Sequence, residues 1–172
     1  MIPIRIPKRA AAITAALVLG ATGTAIGTAV GGAQAAQASP ATPTCHVADL
    51  HLSIGPVSGG AGSLFYPIRF TNTSSHTCAL RGYPGVSVVN SRHHQIGAPA
   101  ARTGQPVTTV RVRPHRSAYA TIRTNNPDVV PKCRPTSAYI RVYPPASHLT
   151  VLIRYHLRVC GLFEINPVQH TP

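Results

Sequence analysis

Phe70-Thr71-Asn72-Thr73-Ser74-Ser75-His76-Thr77-Cys78-Ala79-Leu80-Arg81-Gly82-Tyr83-Pro84-Gly85-Val86 is the stretch that decides how this chain folds. A strand ending near Phe70 runs into the turn formers Asn72 to Thr77, whose short polar side chains hydrogen-bond nearby backbone. Cys78 follows, and Leu80, Val86 and Val88 resume an apolar pattern across the Tyr83-Pro84-Gly85 bend. Strand end, polar turn, cysteine and new strand specify a fold and carry no visible chemistry.

The same period-2 alternation extends in both directions. Upstream, Leu50, Leu52 and Ile54 alternate with His51 and Ser53, and Gly55-Pro56 closes the strand. After Gly59-Gly60-Ala61-Gly62, residues Leu64, Tyr66, Ile68 and Phe70 point one way, and Phe65, Pro67 and Arg69 the other. Pro67 has no N–H for a ladder bond, so this strand is expected to have an edge or a bulge there.

Downstream, Val110 and Val112 alternate with Arg111 and Arg113 before Pro114-His115-Arg116 turns the chain. Ala118, Ala120 and Ile122 then oppose Tyr119, Thr121 and Arg123, and Asn125-Asn126-Pro127 ends that strand. Ala138, Ile140 and Val142 alternate with Tyr139, Arg141 and Tyr143; Val151, Ile153 and Tyr155 begin a strand that runs up to Cys160; Phe163 and Ile165 alternate with Leu162, Glu164 and Asn166. Seven or eight short strands with no helical spacing beyond the N-terminal segment predict an all-β fold. The architecture expected is an antiparallel two-sheet sandwich, immunoglobulin-like in general outline, with two disulfides. Trp is absent, so the buried Trp of antibody domains has no counterpart.

At 172 residues the chain accommodates one domain and an export segment. Only 11% of residues are charged while 44% are apolar, which excludes a disordered composition. Residues 1–38 read as a signal peptide: Arg5, Lys8 and Arg9, an apolar run from Ala10 to Val30, then the A-x-A patterns Ala33-Gln34-Ala35 and Ala36-Gln37-Ala38. Cleavage is expected after Ala35 or Ala38, and retention of the segment as a membrane anchor is the alternative. Residues 39–44 form a Pro/Thr-rich linker expected outside the packed domain, which spans 45–172. The mature protein is expected to have no integral membrane segment and to be secreted, at or beyond the cell envelope.

Sixteen Lys and Arg face three acids, Asp49, Asp128 and Glu164. Cleavage removes three basic residues and leaves 13 against 3, a net charge near +10. Such a surplus attracts polyanions; it also keeps a secreted domain soluble, whatever its partner.

Cys45, Cys78, Cys133 and Cys160 allow three pairings. Pairing Cys45 with Cys78 and Cys133 with Cys160 is favoured, because each closes a loop of about 30 residues and joins neighbouring strands. A metal site at Cys45-His46 lacks CxxC spacing, and His93-His94 lacks HxH or HExxH company, so no metal or other cofactor is expected. Three acids leave little material for a catalytic carboxylate pair, and no Gly-x-Ser-x-Gly elbow supports a hydrolase. The chain reads as a non-enzyme.

The outward strand positions hold the candidate site. Arg69, Arg111, Arg113, Arg123, Arg141 and Arg154 lie opposite the apolar set and share those faces with Tyr119, Tyr139 and Tyr143. Arg interleaved with aromatic rings suits a surface that holds anions and stacks rings; on exposed strands the same residues also serve as a solubilising cover. An anionic wall polymer, a nucleic acid or an acidic protein is the partner this composition favours. The alternative is a small protease inhibitor presenting the turn Arg111 to Arg116 or Asn125 to Arg134.

Several segments also resemble a known family. Cys45 with Leu50-x-Leu52, the Phe70-to-Ser74 turn, Cys78-Ala79-Leu80-Arg81-Gly82-Tyr83-Pro84-Gly85-Val86, Gln95-Ile96-Gly97, Ser117-Ala118, Cys133-Arg134-Pro135 and Val142-Tyr143-Pro144-Pro145 are similar to the secreted actinobacterial "domain of unknown function 4232" family. The likeness runs from Cys45 to Val168 and departs at Arg92-His93-His94, where relatives tend to have an acidic or Gly-containing turn. It implies export and an all-β sandwich, and it carries over no activity and no catalytic residue.

Overall fold

The structure, a computed structural model, describes residues 41–172. The signal segment with Ala35 and Ala38, and the start of the linker, lie outside the described residues. The described part is all-β apart from one 3-10 turn at Val47–Asp49. Eleven strands follow: β1 (Leu50–Ile54), β2 (Ser58–Gly60), β3 (Ser63–Asn72), β4 (Cys78–Arg81), β5 (Gly85–Val89), β6 (Ala101–Arg102), β7 (Thr109–Val112), β8 (Ser117–Asn125), β9 (Tyr139–Tyr143), β10 (Val151–Arg154) and β11 (Phe163–Ile165). Eight of them are four residues or longer.

The strands form a β-sandwich. One layer is the sheet β1-β3-β8-β11-β6, with β2 also on β3; β10-β9-β5 is a second sheet, and β4-β7 is a two-stranded ribbon. All three contribute to one core: Ile68, Phe70, Ala118, Ala120 and Ile122 from the large sheet, Val88, Ile140 and Val142 from the second, and Cys78, Leu80, Val110 and Val112 from the ribbon. Period-2 alternation builds it, because each strand sends every other side chain inward. The chain crosses from ribbon to second sheet at the Tyr83-Pro84-Gly85 bend.

Three local features differ from expectation. The pairing is not wholly antiparallel: β11 runs parallel to the two-residue β6. Pro67 sits on a central strand, not at an edge, opposite Thr121 of β8. Its missing N–H is tolerated because the neighbouring edge breaks there: β1 ends opposite Ile68, β2 starts opposite Phe65, and Gly55 between them donates to the Pro67 carbonyl (2.8 Å). The strand foreseen from Val151 to Cys160 stops at Arg154. Beyond it Leu157 donates to Ser137 Oγ (3.0 Å) and Ser137 and Arg134 donate to the Leu157 and Val159 carbonyls, which buries both side chains outside any regular ladder.

Both expected disulfides are formed, Cys45–Cys78 and Cys133–Cys160. The end of the linker is joined to the domain: Ala79 donates to the Pro43 carbonyl (2.8 Å), and Thr44 bridges Ala79 in parallel. No helix among the described residues is long and apolar enough to cross a membrane.

Asn72 ties the opening stretch together. Fully buried at the end of β3, it donates through Nδ2 to the His76 (2.8 Å) and Val112 (2.9 Å) carbonyls and accepts at Oδ1 from Ser74 N–H (2.9 Å) and Oγ–H (2.8 Å). Its backbone N–H donates to Arg116 O (3.0 Å) and its carbonyl accepts from His115 N–H (2.8 Å). The side chain thus closes its own turn and pins β7 to β3, and the backbone of the same residue pins the β7–β8 turn.

Candidate functional site

The outward Arg and Tyr residues divide among three surfaces. Arg69, Tyr119 and Arg123 lie on the large sheet, where Arg69 stands directly across from Tyr119 and Arg123 across from Phe65. Arg69 Nε donates to Ser53 Oγ (3.2 Å), and Arg123 Nε donates to Ser63 Oγ (3.1 Å). Arg123 also lies 3.7 Å from Glu164, the single ion pair among the described residues. That neutralises part of its value to an external anion.

Tyr139, Arg141 and Arg154 lie on the second sheet, with Tyr139 directly opposite Arg154. Arg141 Nη2 donates to the His93 carbonyl (2.7 Å), and the Tyr139 and His93 rings meet edge to face at 5.1 Å. Arg92-His93-His94 is a tight turn: Asn90 Oδ1 accepts from the Arg92 and His94 N–H groups (both 2.9 Å), and His93 adopts φ +62°. Arg141 and Tyr139 brace that turn.

Arg111 lies on β7 of the ribbon and Arg113 directly follows its end, and here the cations converge. In extended chain residues two apart share a face and stand about 7 Å apart. The turn that follows is closed by Arg116 N–H donating to the Arg113 carbonyl (3.0 Å), with His115 at φ +59°. Arg113 and Arg116 are therefore the ends of a four-residue β-turn, which holds their Cα atoms within about 7 Å. Together with His170, Thr77, Thr109 and Ser117 they line an open cleft of about 1050 Å³. No acid lines it.

Arg116 and His170 belong to this cleft and escaped the alternation argument. Arg116 lies in a turn, and its spacing of three from Arg113 was the available signal. His170 arrives because Gln169 exchanges both backbone hydrogen bonds with Tyr119 (2.9 and 2.8 Å), a pairing that leaves no mark in local sequence.

Three guanidiniums raise the local potential and offer planar donor forks that match phosphate, sulfate or carboxylate. Hydroxyls at the wall add neutral donors. Among the described residues no three His, Cys, Asp or Glu side chains converge as metal ligands. Tyr66 is the group with a resolved perturbation: burial, and then the nearby Tyr155 phenol, raises its hydroxyl above the ordinary 10.0. Its ring meets Tyr155 edge to face at 6.0 Å against the core, and neither ring lines the cleft.

The two segments considered for protease binding, Arg111 to Arg116 and Asn125 to Arg134, each contain a turn. Arg113 to Arg116 is the β-turn just described, and Val129 and Val130 N–H groups fold back on the Asn126 carbonyl (2.9 and 3.0 Å). Arg111 and Val112, the start of the first segment, belong to strand β7.

The remaining quoted motifs have structural work. Arg134 Nη1 donates to the Ile96 (3.2 Å) and Ala98 (2.6 Å) carbonyls, and its guanidinium lies 5.3 Å from the Phe163 ring centre. Gly97 stands at φ +72°, where a Cβ would come within 3.0 Å of that guanidinium. Cys133-Arg134-Pro135 and Gln95-Ile96-Gly97 are thus two halves of one clamp. Tyr83 Oη donates to the Gln105 carbonyl (2.7 Å), fixing the bend before β5.

No curated protein and no solved structure matches this chain. The profile of the family described as Domain of unknown function (DUF4232) matches residues 45–169, from the first cysteine to Gln169, which bridges β8 at Tyr119. The chain belongs to that family.

Proposed function

We propose that the protein is an exported, non-enzymatic binding domain of the cell envelope whose ligand is an anionic polymer, held at the Arg111–Arg113–Arg116 cleft. Export is supported by the basic start, apolar run and A-x-A patterns of residues 1–38, and by two formed disulfides, which persist in oxidising compartments. The observation that carries the binding reading is the convergence of three guanidiniums and an imidazole on one open cleft without an acid.

Holding like charges together costs energy that a bound anion relieves, and each phosphate or sulfate neutralised releases counterions from a polyanion. Retention on a heparin-type column that vanishes between low and moderate salt is the expected result. Retention no stronger than that of an unrelated globular protein of the same net charge would remove the proposal. No specific contact at Arg111 to Arg116 or Asn125 to Arg134 favours the inhibitor alternative, and we do not adopt it.

A further inference from the structure

Beside the basic cleft lies a second concavity of about 450 Å³ on the outward face of the large sheet. Phe65, Pro67, Tyr119 and Thr121 line it, with Arg69. The two concavities share elements. Ser117 of β8 lines the cleft, and Tyr119 and Thr121, the next two residues facing the same way, line the groove. The tail spans both as well: Gln169 is paired with Tyr119, His170 lines the cleft and Pro172 lines the groove.

The chemistry changes across that boundary. On one side are three guanidiniums and hydroxyls; on the other are two aromatic rings, three prolines and one Arg standing across from Tyr119. Successive outward positions on β8 are about 7 Å apart, so an anionic group and a flat ring joined by a short linkage reach both. A polymer of bare phosphates uses the cleft alone. A polymer that alternates phosphates with unpaired rings uses cleft and groove together, phosphates on Arg and a ring on Tyr. In a duplex the rings are already stacked inside and unavailable to the groove.

Resting on the anion-binding reading of the cleft, we infer that the polymer is a single-stranded nucleic acid, its phosphates held by Arg111, Arg113 and Arg116 and a base stacked on Tyr119. Arg69 beside that ring supplies a further cation for the next phosphate. Sequence preference is absent from this mode, because every base has a flat face.

Isothermal titration calorimetry of the folded domain with an oligothymidylate and, separately, with inorganic polyphosphate tests it. Tyr119→Ser is expected to weaken oligothymidylate binding by about 5- to 150-fold and to leave polyphosphate binding unchanged, while Tyr119→Phe keeps both. Phe65→Ser, on the neighbouring strand, gives the same split and guards against a folding defect in the first variant. If the parent domain binds polyphosphate but not oligothymidylate, or if Tyr119→Ser weakens both equally, the inference is overturned and the cleft reading stands. If removal of all three cleft arginines leaves both ligands bound as before, the cleft reading itself fails.

Discussion

Replacing Asn72 by Ala removes the side chain on which the turn between β3 and β4 is built. Four hydrogen bonds disappear: two from Nδ2 to the His76 and Val112 carbonyls and two from Ser74 to Oδ1. A hydrogen bond contributes about 1 kcal/mol net, which makes the four worth about 4 kcal/mol. The Val112 carbonyl is then left without this donor in a buried setting, which adds to the loss, while relaxation of the half-buried Ser74 and exposed His76 groups toward water subtracts from it. We expect a loss of about 3 to 5 kcal/mol, a large part of the roughly 5 to 15 kcal/mol that holds a domain of this size folded. Urea unfolding followed by circular dichroism, with both disulfides intact, reads it directly. Asn72→Asp separates the two halves of the network. It keeps the acceptor for Ser74 and sets a carboxylate against two carbonyls, so its folded-state pKa rises. The variant is then least impaired in acid and loses stability as pH rises from about 3.9, the unfolded value. A loss below about 1 kcal/mol for Asn72→Ala, or an Asn72→Asp variant as stable as the parent at neutral pH, would refute this account of the turn.

Other outcomes follow from the same contacts. Because the Tyr66 hydroxyl is raised in the folded state, stability is fully present below 10.0 and falls as pH climbs through the folded value; Tyr66→Phe flattens that alkaline limb in unfolding curves taken across the range. Removing Cys45–Cys78 by a double Ser substitution costs about 3 to 4 kcal/mol from the loop it closes, measured as a shift in urea midpoint. Arg134→Ala loses two charge-assisted bonds and the stacking on Phe163, about 2 to 4 kcal/mol, and Arg134→Lys recovers only part of it, lacking the planar fork. Glu164→Gln changes stability by less than about 1 kcal/mol, because its pairing with Arg123 is exposed to solvent.

The strands were legible because alternation is local: Leu50, Leu52 and Ile54, or Ala118, Ala120 and Ile122, declare their buried face within five residues. The disulfides were legible from loop length. The strand past Arg154 was not, since Leu157 and Val159 are buried by bonds to Ser137 and Arg134, 20 and 25 residues earlier in the chain. The opening stretch was read as structure, and Asn72 shows why: its polar atoms are consumed internally. The candidate site was the least legible part. Which Arg residues meet depends on which strands share a sheet, and alternation is blind to that. Arg141 and Arg154 went to the second sheet, Arg69 and Arg123 to the large one, and Arg111 and Arg113 met Arg116 only because a β-turn folds the ribbon back on β8. The Arg134 clamp joins residues 36 to 38 apart, and no local pattern announces it.

The cleft is tested most directly by comparing two triple variants of identical net charge on a heparin-type column. One lacks Arg111, Arg113 and Arg116; the other lacks Arg92, Arg154 and Arg158, which are exposed elsewhere. If polyanions are held at the cleft, the first variant elutes at much lower salt than the second, which stays close to the parent. Equal elution of the two would mean that net charge alone binds the column, and would contradict the assignment of the cleft.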